Sequence, residues 1–136
     1  LKGSGCRTCV ASAVFGLLVA AVPLLAHHHA VQAEFDYDKE MTLTGTLERV
    51  EWVNPHAFFF LAVAGENGDV TTWSVATVGP SGLRRVGLSR PGFFEVGKTY
   101  TLGTYQALDG TDFAWLRDVT LPDGRVVTVW SGKDGR

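Results

Sequence analysis

The chain has 136 residues, of which 46% are hydrophobic and 19% are charged, and its formal net charge is −2. This length suits one domain with a modest core. The acidic balance argues against nucleic acid as a partner, because phosphates attract clustered Lys and Arg. Arg84, Arg85 and Arg90 make a basic cluster that is too small to change this expectation.

Residues 1–26 have the three parts of a secretory signal peptide. Lys2 and Arg7 form a basic front, and an uncharged apolar run follows them. This run is short for a membrane span, which needs about 20 apolar residues, so a cleaved signal is favoured over a retained anchor. Two cleavage sites compete, one after Ala26 and one after Ala33, which closes a better small-x-small pattern. We expect a periplasmic or secreted protein with no membrane contact once processed.

The position of the cut decides which chemistry the mature chain carries. Cutting after Ala26 leaves ten basic residues against fourteen acidic ones, a formal charge of −4 over 110 residues. Both cysteines, Cys6 and Cys9, are then removed, so no thiolate remains for metal binding or catalysis. Histidines at positions 27–29 would open the chain and place a free amine beside imidazole nitrogens, whereas the cut after Ala33 would discard them.

The rest of the chain predicts an arm over residues 27–40, a β domain over residues 41–130 and a tail over residues 131–136. Alternating apolar and polar residues, separated by turn signals such as Asn67-Gly68, indicate strands. Gly79-Pro80-Ser81 predicts the start of one short helix. The six predicted strands are Met41–Glu51, Ala57–Ala64, Val70–Val78, Thr99–Ala107, Phe113–Leu121 and Val126–Trp130.

The order of these elements predicts an all-β fold with one short helix. Three strands, a helix and then further strands is typical of a small oligonucleotide/oligosaccharide-binding (OB) Greek-key barrel. We therefore expect an OB-like barrel of five to six strands, with a six-stranded sandwich or open roll as the alternative. Such a fold does not specify a function.

Several motifs along the chain point to a known family. They are Ala26-His27-His28, the block Glu51-Trp52-Val53-Asn54-Pro55-His56, Gly79-Pro80, Asp109-Gly110 and Thr120-Leu121-Pro122-Asp123-Gly124. With these motifs the chain resembles a family of small exported bacterial proteins of unknown function, typified by A-H-H-S at the signal junction and by E-W-x-N-P-H. It departs from that pattern at His29, where the family has Ser. The resemblance favours the cut after Ala26 and implies no activity.

The sequence shows no pattern that singles out catalytic residues. A nucleophile with its base, or a pair of carboxylates across a cleft, would be needed for hydrolysis, and no spacing picks out either. No phosphate loop, dinucleotide fingerprint or H-E-x-x-H zinc helix occurs. We therefore predict a binding protein rather than an enzyme.

The four histidines suggest a transition-metal site. His27 would offer its α-amine and ring Nδ1, His28 and His29 lie beside it, and His56 after the Asn-Pro turn would supply a further nitrogen. Such ligands suit copper first, with nickel or zinc as alternatives. The alternatives are a polar end of the leader for the first three, and for His56 a hydrogen bond to the turn or packing beneath Trp52.

Aromatic residues suggest two further functions. Trp52, Phe59 and Trp73 would form a ligand face for a small molecule or a glycan, and exposed aromatic surface would suit a protein partner in an envelope complex. Because Phe58, Phe59 and Phe60 cannot all face one side of a strand, we expect the outer two on one face and Phe59 on the other. Phe58 and Phe60 are predicted to join the core.

Overall fold

The computed structural model describes residues 31, 33–88, 92–121 and 123–131. The predicted signal peptide, the histidines at 27–29, Arg90 and the tail beyond residue 131 lie outside these residues. The chain divides into two compact units, residues 1–33 and residues 34–136, and the fold below is that of the second unit. No helix within the described residues is long and apolar enough to cross a membrane.

The described part of the second unit contains six strands and one short helix. They are β1 (Phe35–Glu51), β2 (Phe58–Ala64), β3 (Val70–Ala76), α1 (Pro80–Arg85), β4 (Thr99–Ala107), β5 (Phe113–Thr120) and β6 (Val126–Thr128). The predicted start of the first strand at Met41 is wrong by six residues. Residues 35–40 were not predicted as a strand because they include Asp and Lys, which are rare in strands. The backbone of this segment nevertheless pairs with β4, from Phe35↔Ala107 to Glu40↔Tyr105, across a bulge.

The strands close into a ring. β1 pairs with β2 and β4, β2 with β3, and β4 with β5, all antiparallel. The parallel pairing of β3 with β5, at Val75↔Ala114, completes the ring, and β6 adds to the outer edge of β5. This confirms the all-β prediction with one short helix, and the closed five-strand order is that expected of an OB-like fold rather than an open roll.

Alternating side chains fill the inside of this ring. Leu47, Phe59, Leu61, Leu102 and Leu116 are fully buried there. Since Phe59 is 1% exposed and its neighbours point the other way, the predicted split of the three phenylalanines is confirmed. The prediction that Phe58 and Phe60 join the core is wrong. Phe59 points inward with its strand partner Val75, so Phe58 and Phe60 on either side of it lie on the outer face. The Arg49 guanidinium lies 3.9 Å from the centre of the Phe60 ring.

A second aromatic layer lies on the outer face of β4 and β5. Ala114 and Leu116 point inward, so Trp115 between them points outward, yet it is only 2% exposed. Trp115 pairs across the strands with Tyr105. Phe35, at the start of β1, packs on the Trp115 ring with 5.6 Å between ring centres. This outer layer positions the site described next.

Candidate functional site

The loop that joins β1 to β2 carries the Trp52 to His56 motif and is fastened to the segment that follows β3. The Thr77 N–H donates to the Ala57 carbonyl at 2.9 Å. Gly79 lies directly against the loop, because a Cβ at this position would stand 2.7 Å from the Pro55 carbonyl oxygen and 2.9 Å from Asn54 Oδ1. The loop therefore has a defined position relative to the start of α1.

His56 is half-buried, and two contacts fix its ring. Its Nδ1 lies 3.2 Å from the Thr77 carbonyl oxygen. Because a carbonyl only accepts hydrogen bonds, Nδ1 is the donor in this contact, and in a neutral ring Nε2 is then the nitrogen with the lone pair. The ring also meets Trp115 edge to face, with 5.2 Å between ring centres and an interplanar angle of 80°. The hydrogen bond of His56 thus goes to the segment that follows β3 rather than to its own turn, and the ring that it meets edge to face is Trp115.

Trp115 contacts both His56 and Phe35, the first residue of β1. One face or edge of this indole contacts His56, and others contact Phe35 and Trp130, at 5.6 Å between ring centres for each of the last two. Burial leaves Trp115 Nε1 and the nearby Thr77 hydroxyl without a hydrogen-bond partner in the described part of the chain. The structure therefore brings the start of β1 and the motif histidine to the same aromatic side chain.

Two tyrosines belong to the same outer layer. Tyr37 and Tyr105 meet edge to face at 4.9 Å between ring centres. Burial raises the pKa of both, and the nearby Glu40 carboxylate raises that of Tyr105 further. Both hydroxyls therefore stay protonated near neutral pH.

The predicted aromatic ligand face is not assembled at the surface. Trp52 is half-buried, with its ring centre 6.2 Å from that of Phe59 and 6.4 Å from that of Phe94. Trp73 packs against the core from the inner face of β3. The placement of Phe59 on a ligand face is corrected, because this side chain lies inside the ring.

The predicted metal ligands are only partly covered by the structure. Of the four histidines, His56 is placed, while His27, His28 and His29 lie outside the described residues. Within the described ranges, no group of three or more His, Cys, Asp or Glu side chains is close enough to hold a metal ion.

Arg84 and Arg85 are exposed in the last turn of α1.

A surface cleft lies in a region where the sequence predicted no site. Its volume is about 520 Å³, and it lies between the loop at residues 92–98 and the residues Leu121, Asp123 and Arg125 that follow β5. Glycines with positive φ mark both segments, at Gly97 and at Gly124. These glycines signal turns, but only the pairing of β4 with β5 brings the two turns together.

A family match extends over most of these elements. The model described as "Family of unknown function (DUF6152)" matches residues 14–116. The chain belongs to DUF6152. The match includes the motif loop and Trp115, and it confirms the resemblance to a family of unknown function. Neither a curated protein nor a solved structure matches this DUF6152 chain. A function must therefore be argued from the site itself.

Proposed function

We propose that this DUF6152 protein is an exported binding protein that holds one transition-metal ion, copper first, through His27, His28 and His56. His29 is an additional ligand in this proposal. The observation that supports it is that His56 and Phe35, the first residue of β1, both contact Trp115. The protein works in the periplasm or outside the cell.

The surroundings of His56 suit a metal ligand. A ligating histidine usually donates its other ring N–H to a carbonyl or carboxylate, which fixes the tautomer and turns the free nitrogen toward the metal. The Thr77 carbonyl takes this part, and the edge-to-face contact with Trp115 restricts the ring. His56 Nε2 would then be the atom that binds the metal.

The N-terminal histidines precede β1 by only a few residues in the sequence. Five residues lie between His29 and Phe35, and these six residue steps span at most about 20 Å. Phe35 and His56 both lie within 6 Å of Trp115, measured between ring centres. The length of the chain therefore allows the proposed sharing of the ion.

The chemistry of the donors favours copper. An α-amine and several imidazole nitrogens suit the planar arrangement that Cu(II) prefers, and Ni(II) takes the same donors. Zinc would need tetrahedral angles from them. Because Phe59 is buried, the structure gives no support to a small-molecule face at Trp52, Phe59 and Trp73. Metal binding is therefore the better supported of the two functions.

Two measurements on the exported protein test this proposal. The intact mass should correspond to a chain that begins at His27, and calorimetric titration should show one Cu(II) per chain. A matched chain that begins at Ala30 keeps the whole β domain and should lose most of this affinity. A mass that begins at Glu34, or equal copper binding by both chains, would overturn the proposal.

A further inference from the structure

We propose that the cleft between the loop at residues 92–98 and the residues Leu121, Asp123 and Arg125 binds a small zwitterion with an apolar side chain, of the size of a free amino acid. This site is separate from the metal site. The cleft lies at the C-terminal end of β5, whereas Trp115 lies near the beginning of that strand. The six residue steps from Trp115 to Leu121 correspond to roughly 20 Å of extended chain.

The size and surface of the cleft suit a small organic molecule. Its volume of about 520 Å³ falls within the range of ligand pockets, which is roughly 300 to 1,000 Å³. Phe93, Tyr100 and Leu121 supply an apolar surface, and Thr99 adds a hydroxyl. The apolar part of a ligand would rest on these rings and methyl groups.

Hydrogen bonds hold both walls of the cleft in place. The Tyr100 hydroxyl donates to the Phe93 carbonyl at 3.2 Å and accepts from the Glu95 N–H at 2.8 Å. On the other wall, the Leu121 N–H donates to the Arg125 carbonyl at 2.8 Å. A cleft that is formed in advance loses less conformational entropy when a ligand binds.

The charges of the cleft select a ligand that carries both signs. Asp123 accepts from the Arg125 backbone N–H at 3.0 Å and from Arg125 Nε at 2.7 Å, which lowers the pKa of Asp123 and satisfies its carboxylate. Glu95 and Lys98 also line the cleft, and no ion pair in the described part of the chain engages either of them. Lys98 and the outer nitrogens of Arg125 would take a carboxylate, and Glu95 would take an ammonium group. Two acidic and two basic side chains disfavour a ligand with a net charge.

The direct test is a titration with L-phenylalanine, followed by the ¹H–¹⁵N signals of the protein as recovered from expressing cells. We expect saturable shifts at backbone amides of the two walls, including Glu95, Gly97 and Gly124. Phenylacetate lacks the ammonium group and phenethylamine lacks the carboxylate, so each should bind at least about threefold more weakly. Equal binding of phenylacetate, or no saturable shift at millimolar phenylalanine, would overturn the proposal.

Matched variants separate the two charges. Lys98→Ala and Glu95→Gln should each weaken phenylalanine by about threefold or more. Lys39→Ala and Glu66→Gln change exposed residues of the same types away from the cleft and should leave its affinity unchanged. If the control variants weaken binding as much as the cleft variants, the assignment of the ligand charges to Lys98 and Glu95 is wrong. Since all four side chains are exposed, folding should be unaffected.

Discussion

Gly79 helps to hold the loop between β1 and β2 in place because its backbone lies very close to Asn54 and Pro55. Gly79 has an extended backbone with φ of −64°, so no unusual conformation calls for glycine there. Glycine is needed because a Cβ would collide with the Pro55 carbonyl and with Asn54. The same approach keeps Thr77 within hydrogen-bond distance of His56. Gly79 thus couples the start of α1 to the position of the candidate metal ligand.

We predict that Gly79→Ala destabilises the fold by about 1 to 3 kcal/mol, the usual cost of forcing an extra group into a packed contact. The free energy of unfolding in urea measures this change. Gly65→Ala is the control, because its Cβ would meet its nearest neighbour, the Asp69 carbonyl oxygen, at 3.4 Å. Equal losses in the two variants would mean that the contact between Gly79 and the loop is not tight.

Among the elements, β1 is longer than the sequence predicted, because it begins at Phe35. Local patterns predicted β4 with both ends correct and found β2 and β3 within two residues, because alternation and turn dipeptides are local signals. The first part of β1 was missed because Asp36, Asp38 and Lys39 obscure the alternation of Phe35 and Tyr37. Contacts that depend on pairing distant strands could not be predicted. The packing of His56 on Trp115 is one of these, and the cleft is another.

The start of β1 should contribute strongly to stability. Phe35 is 2% exposed, and its ring centre lies 5.1 Å from that of Phe113. Phe35→Ala should therefore cost about 3 kcal/mol or more, as expected for a buried phenylalanine, measured by urea unfolding. Leu108→Ala, at a side chain that is 60% exposed, should stay within about 0.5 kcal/mol of the parent. Similar midpoints for the two variants would show that the outer layer is not packed as described.

At the scale of the whole molecule, the ring of strands has its own core. The interior residues come from all five strands of the ring and from Leu83 of α1, and burying each such side chain contributes roughly 1.5 to 3 kcal/mol. His56 lies outside this interior, on the outer aromatic layer. We therefore expect the fold to stand without a metal ion.

Removing metal with a chelator should consequently lower the melting temperature only modestly. The loss is the mass-action stabilisation by a bound ligand, about 2.7 kcal/mol when the free ligand is at a hundredfold excess over its dissociation constant. Thermal melts followed by circular dichroism, with and without chelator, measure it. Cooperative loss of the strand signal in chelator at room temperature would mean that the metal is structural.

The shared metal site is the central claim, and the copper affinity of His56→Ala beside that of the parent tests it most directly. We predict that binding weakens by roughly tenfold or more, since a lost ligand should cost at least as much as a lost second-shell partner. In the parent, binding should also weaken on acidification, because imidazole nitrogens must be free of protons to hold a metal. If His56→Ala binds copper like the parent while His29→Ala does not, the N-terminal peptide alone holds the metal and the shared site is contradicted.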